Sequence, residues 1–239
     1  MPWMQPAPKN FRYFPTPGSE EEPATLTSYP DSWWSEEFWS ALRDAAKYRQ
    51  QIEKFKIAPW DDAQTSAELA ELLKKQQSAE LAVRRPEILE EAEGPPSYYS
   101  RMMFLDSRRP TTHALVFGCI AWAVPFIMYF KHEFKRPRPT QLEPRLRPVV
   151  DVPQHPAYPS GHSTQSHLVA LLMRAVSGRA DVESALWSAA DRIAENREYA
   201  GLHYPSDSAC GVELAKLIAP IFIQENQPMI TSARKAEWS

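Results

Sequence analysis

Apolar residues recur at helical spacing along most of this chain. Trp34, Phe38, Leu42, Ala45 and Ile52 share one helical face, which predicts a first helix starting near Ser32 or Ser35. Thr65 with Glu68 makes a capping-box pattern ahead of Leu69, Leu72 and Leu73. A second helix is expected to begin there and to end or bend at Pro86. Gly94-Pro95-Pro96 breaks the chain again. From His113 to Phe130 the run is almost uncharged and close to the length of a membrane span; it reads as a central helix covered by neighbours on every side, with a single membrane-associated helix as the alternative. Residues 140–158 hold prolines and arginines and read as a loop. Ser160 looks like the cap of a helix reaching about Val176, residues 182–200 form another, and Pro205 opens a last one to about Phe222. No Val/Ile/Thr alternation is long enough for a strand. The pattern predicts an all-α fold, a helical bundle with an N-terminal helical extension.

The same pattern divides the chain. Residues 1–30 are rich in Pro, Ser, Thr and Glu without a period and read as a loosely ordered arm. Residues 31–109 form an N-terminal helical region, 110–223 the core, and 224–239 a C-terminal tail, all within one compact domain. The acidic stretch around residues 90–93 reads as a solvated face.

Composition narrows the function. The chain has 239 residues, 43% hydrophobic and 24% charged, with a net charge of -3, which excludes a nucleic-acid surface. Seven glycines against 23 prolines suit helices joined by stiff connections better than hairpins. The mean hydropathy of -0.48 argues against several membrane spans, so no stable membrane insertion is expected. Met1 to Asn10 lacks a charged-then-apolar signal, which points to a soluble, cytoplasmic protein. Cys119 and Cys210 read as buried free thiols, and no metal-ligand spacing is present. His113, His132 and His167 read as ordinary helix residues. Trp33, Trp34, Trp39 and Trp60 read as core or interface, covering the bundle or forming a dimer contact.

Three segments carry candidate chemistry. The first runs from Lys131 across six residues to Arg138-Pro139. The second is Pro159-Ser160-Gly161-His162. In the third, Arg197 is followed after five residues by His203 and after three more by Asp207. Lys131, Arg138 and Arg197 are cations from three segments, suited to an oxyanion of two or three charges. Ser160 and Gly161 open a helix whose backbone N–H groups would add neutral donors. A neutral imidazole can attack phosphorus and a second can protonate the leaving oxygen. His203 is cast as nucleophile, Asp207 one turn on as its orienting acceptor, and His162 as general acid. Arg136, Arg145 and Arg147 are either part of a positive mouth or solvated surface, and Tyr158 and Tyr199 either line the pocket or pack.

These segments resemble the three-part signature of the type 2 phosphatidic acid phosphatases, bacterial non-specific acid phosphatases and vanadium haloperoxidases. That signature is Lys, six residues, Arg-Pro; then Pro-Ser-Gly-His; then Ser-Arg, five residues, His, three residues, Asp. Residues 131–139, 159–162 and 196–207 fit it, with Asn196 where Ser is usual. The resemblance spans roughly residues 110–222. It implies an all-α bundle of that type, with phosphate held by Lys131, Arg138, Arg197, Ser160 and Gly161. It also implies a phosphohistidine at His203, proton transfer by His162 and no metal cation. A small phosphorylated substrate would be hydrolysed without a cofactor, by a homo-oligomer such as a dimer. The alternative is a haloperoxidase, with vanadate on His203 as cofactor, oxidising halide with hydrogen peroxide. His155, seven residues before His162, occupies a position where bromoperoxidases often carry a histidine near vanadate. A catalytically inactive scaffold is a third reading, against which all six signature residues stand intact.

Overall fold

The computed structural model describes residues 27–92 and 108–239. The expectations for most of the N-terminal arm and for the Gly94-Pro95-Pro96 break lie outside the described residues. Regular structure within them is entirely helical. After a single turn at Asp31–Trp33 come α1 (Glu36–Ala45), further short turns at Ala46–Tyr48 and Arg49–Ile52, α2 (Asp62–Gln77) and α3 (Glu80–Ala92). Then follow α4 (Pro110–Phe134), a turn at Pro139–Leu142, α5 (Gly161–Ser177), α6 (Ala180–Tyr199), α7 (Pro205–Glu225) and α8 (Gln227–Glu237).

Local chemistry accounts for several boundaries. The Ser35 hydroxyl accepts from the Phe38 N–H at 3.2 Å and starts α1, and Ser160 caps α5 through the Ser163 N–H. Pro139, Pro205 and Pro228 sit in first turns, where their missing N–H costs nothing. α2 starts earlier than its Thr65 pattern suggests, because the Asp61 carboxylate accepts from the Ala63 N–H at 2.8 Å. The break after α2 falls at Ser78, which is extended, while Pro86 lies inside α3. Pro86 and Ala82 are both exposed, so water can satisfy the carbonyl that proline leaves without a donor.

The core lies between α4, α5, α6 and α7. Val116, Cys119 and Ala123 of α4 meet Leu168, Val169, Leu172 and Val176 of α5 and Leu214 and Ile218 of α7, all essentially sealed from solvent. Truncating a leucine such as Leu172 to alanine there costs about 2–5 kcal/mol. Gly211 brings α7 against the start of α5. A Cβ at that position would lie 2.7 Å from the Ser163 Cβ and 2.8 Å from the Ser160 carbonyl, so only glycine allows this approach.

Two expectations are corrected. α4 is not covered on every side, because Ala114, Gly118 and Ala121 are exposed. Only 44% of its most apolar window is buried, and it is the one described helix long and apolar enough, by length and composition, to cross a membrane. Residues 227–237 form a helix rather than a tail. Ile230 and Ala233 are buried against the bundle. The Glu237 carboxylate accepts from the Thr111 and Thr112 N–H groups at 2.8 and 2.9 Å, capping α4 from a distant part of the sequence.

Candidate active site

The three signature segments converge where α4 ends and α5 and α7 begin. Lys131 lies in the last turn of α4, and Lys135, with φ 46°, ends that helix in a left-handed turn. The chain then runs inward through Arg136 and Arg138, both fully buried. Ser160 and His162 open α5, Arg197 lies in the last turn of α6, and His203 and Asp207 straddle the start of α7. The Ser160 N–H donates to the Asp207 carbonyl at 2.9 Å, and the Ser163 hydroxyl to the Ser208 carbonyl at 2.7 Å, joining the second segment to the third.

His203 is held in one tautomer. Its Nδ1 lies 3.0 Å from Asp207 Oδ2, and its Nε2 lies 3.0 Å from Arg138 Nη1. A guanidinium can only donate, so Nε2 carries the lone pair and Nδ1–H donates to the carboxylate. Asp207 Oδ2 also accepts from the Tyr204 N–H at 3.0 Å. Its other oxygen accepts from Arg136 Nη1 at 2.6 Å. Burial pushes this carboxyl upward, and the Arg136 charge opposes that shift.

The cations are poorly compensated. Lys131 donates to the Pro156 and Ala157 carbonyls at 2.7 and 2.9 Å. Arg138 donates to the His155 and Leu202 carbonyls at 3.0 and 2.9 Å. Both are 0% exposed, and among the described residues no carboxylate pairs with either. Burial, reinforced for Lys131 by the Arg138 charge, pulls the Lys131 ammonium well down and Arg138 to about 10. Arg197 pairs with Glu91 at 2.7 Å and donates to the Ile88 carbonyl, but its buried Nε has no partner among the described residues. Buried charge without a counter-ion costs several kcal/mol, so this arrangement calls for an anion. The N–H groups of Gly161 and His162, at the first positions of α5, have no acceptor within the helix.

The histidines feel the same field. Burial and the charges of Arg138 and Lys131 hold His203 well below the ordinary imidazole range. His162 is pushed down to about 3 by burial and the Arg197 charge. His155 Nδ1 lies 2.9 Å from Arg138 Nη2, and burial with the Lys131 charge holds it low.

The structure therefore brings Lys131, Arg138, Ser160, Gly161, His162, Arg197, His203 and Asp207 together, with His155 against Arg138 and Asn196 beside Arg197. One detail differs from expectation. The Ser160 N–H is committed to Asp207, leaving its hydroxyl and the next two amides for an anion. His203 is 3% exposed and sits under the Arg138 guanidinium.

Sequence reasoning missed the roles of four residues. Arg136 is not part of a mouth; it joins Asp207 to Glu68, donating to Glu68 at 2.7 Å, and its guanidinium lies 3.7 Å from the Tyr204 ring centre. Thr65 and Glu68, expected as a capping box, both serve this arginine. Glu91, expected in a solvated acidic face, is 2% exposed. Arg145 and Arg147 are surface residues, and Tyr158 and Tyr199 pack, one against Ala58 and the other under Arg84.

The search of curated proteins returned no match for this chain. Its residues 112–227 match the family model of the PAP2 superfamily, a range that contains all three signature segments, and the chain belongs to this superfamily of phosphatase-type and haloperoxidase-like enzymes.

Proposed function

We propose that the protein hydrolyses a phosphate monoester or diphosphate through a phosphohistidine on His203. The observation that carries this reading is the His203 Nε2 lone pair, fixed by Asp207 and set beside two buried cations that lack counter-ions. The substrate's phosphoryl oxygens take over Arg138, Lys131, Arg197 Nε, the Ser160 hydroxyl and the Gly161 amide. The P–N bond to Nε2 then forms as the ester P–O bond breaks, and His162 gives its proton to the leaving oxygen. In the second step water attacks phosphorus, the P–N bond breaks and His162 takes a proton from that water. Inorganic phosphate leaves. His162 must be charged for the first step, although burial and Arg197 disfavour this in the free protein. An arriving dianion reverses the local field, so proton uptake accompanies anion binding.

Vanadate fits the same donors, since it too is a tetrahedral oxyanion that can take a fifth ligand. Bound there, it would supply peroxide activation for halide oxidation. His155 beside Arg138 is the observation favouring that second reading.

Turnover of an aryl phosphate by purified protein from pH 5 to 8, with and without orthovanadate, separates them. Hydrolysis inhibited by vanadate is the expected result. Absence of hydrolysis, with bromide oxidation once vanadate and peroxide are added, would overturn the phosphatase reading.

A further inference from the structure

α3 lies outside the residues matched to the superfamily, yet it ends on the phosphate-binding arginine. Glu91 Oε2 accepts from Arg197 Nη2 at 2.7 Å, and Oε1 accepts from Asn196 Nδ2 at 2.8 Å. The Ile88 carbonyl accepts from the same Nη2 at 3.0 Å. Asn196 also donates to Glu87 at 3.1 Å and accepts from Arg84 Nη1 at 3.1 Å. The Glu91 backbone also lies near enough to the His162 ring to favour its charged form. α3 thus touches both the arginine and the histidine of the cradle.

The geometry is one-sided. Glu91 and Ile88 grip Nη2 of Arg197, while the buried Nε has no partner among the described residues. A carboxylate competing with substrate would be expected to take both donors of one guanidinium edge. Here it holds one nitrogen and leaves its neighbour presented. Asn196 makes this possible. An amide offers donors and an acceptor together, which the serine usual at that position cannot extend both to Glu91 and to Arg84. The asparagine at 196 and the carboxylate at 91 are therefore complementary.

We propose that Glu91 is a positioning residue, fixing the Arg197 guanidinium so that Nε meets the transferred phosphoryl group, with Asn196 as the partner that seats it. The inference rests on the phosphoryl-transfer reading of the site. Partners behind a ligating group typically influence binding or turnover by about 10- to 100-fold, and that range is expected for Glu91→Ala in kcat/KM. Glu91→Gln, which keeps the side chain's shape, should lose less.

The test is a double-mutant cycle with Arg197→Ala, read by aryl phosphate kinetics and, independently of turnover, by calorimetric binding of inorganic phosphate. Circular dichroism checks that each variant is folded, and Glu91→Gln carries the test if Glu91→Ala does not fold. The expected result is weaker phosphate binding and lower kcat/KM in either Glu91 variant, with no further loss in the Arg197→Ala background. Unchanged or tighter phosphate binding in the Glu91 variants would overturn the proposal, as would losses that add to those of Arg197→Ala. Wild-type protein that binds phosphate but turns over no ester would refute the phosphatase reading alone, leaving the binding cycle to judge Glu91.

Discussion

The superfamily-matched core, residues 112–227, and the N-terminal helices α2 and α3 supply opposite halves of the same site. The core provides Lys131, Arg138, Arg197 and the histidines. Apart from Asp207, the carboxylates gripping its buried arginines come from the N-terminal region: Glu68 on Arg136 and Glu91 on Arg197. Lys75 reverses the pattern at the edge, reaching from α2 to the buried pair of Glu198 and Ser208. The groups aimed at an anion follow a strict spacing in the sequence. The groups that hold them in place lie on ordinary helices whose only requirement is to reach the right arginine.

The largest effect should come from the core. His203→Asn is expected to lower kcat by about a thousandfold or more, since a lost nucleophile leaves only binding and charge stabilisation. It should leave the N-terminal ion pairs in place. Measured kinetics retaining a tenth of wild-type turnover would remove His203 from its role.

Arg136→Ala tests the junction between the regions. It removes the arginine from the buried Asp207 and the partly buried Glu68, and breaking such a buried pair costs about 3–5 kcal/mol. A chain this size should then melt roughly 10 °C lower, with turnover reduced because Asp207 no longer has its second anchor. A thermal midpoint within a degree or two of wild type would show that α2 does not brace the site.

Acid separates the buried histidines from the buried carboxyls by sign. His155, His162 and His203 are all held below their ordinary range. Their contribution to stability is whole above about pH 6.5, the unfolded value, and is lost as pH falls below it. Burial raises the Glu91 and Asp207 carboxyls, so they contribute the opposite slope, nearer pH 4. Between pH 7 and 5 the histidines should dominate, and the thermal midpoint of the ligand-free protein should fall. A flat or rising midpoint across that window would contradict the neutral buried histidines.

The smallest effect is expected at the far end of α4. Glu237→Ala removes the distant cap on Thr111 and Thr112, which should cost about 0.5–2 kcal/mol and leave turnover unchanged. A change in kinetics would mean that the clamp reaches the site.

The spacing of the three segments was readable in sequence because each sits at a helix terminus, where Pro205, Ser160 and the end of the apolar run at Phe130 announce the boundary. Arg136 was not, because its direction depends on the left-handed turn at Lys135, which no periodicity signals. Glu91 looked like one more charge in an acidic run; only the packing of α3 against α6 makes it a buried partner. α8 was hidden by sparse apolar residues, Ile230 and Ala233 alone being buried, and its cap on α4 is a long-range contact.

The most direct test of the central claim is to trap the intermediate. Protein mixed with a reactive aryl phosphate, quenched in alkali and examined by peptide mass spectrometry should carry one phosphoryl group on His203, absent from His203→Asn. Rapid turnover with no phosphate on His203, or with phosphate on another residue, would contradict the account.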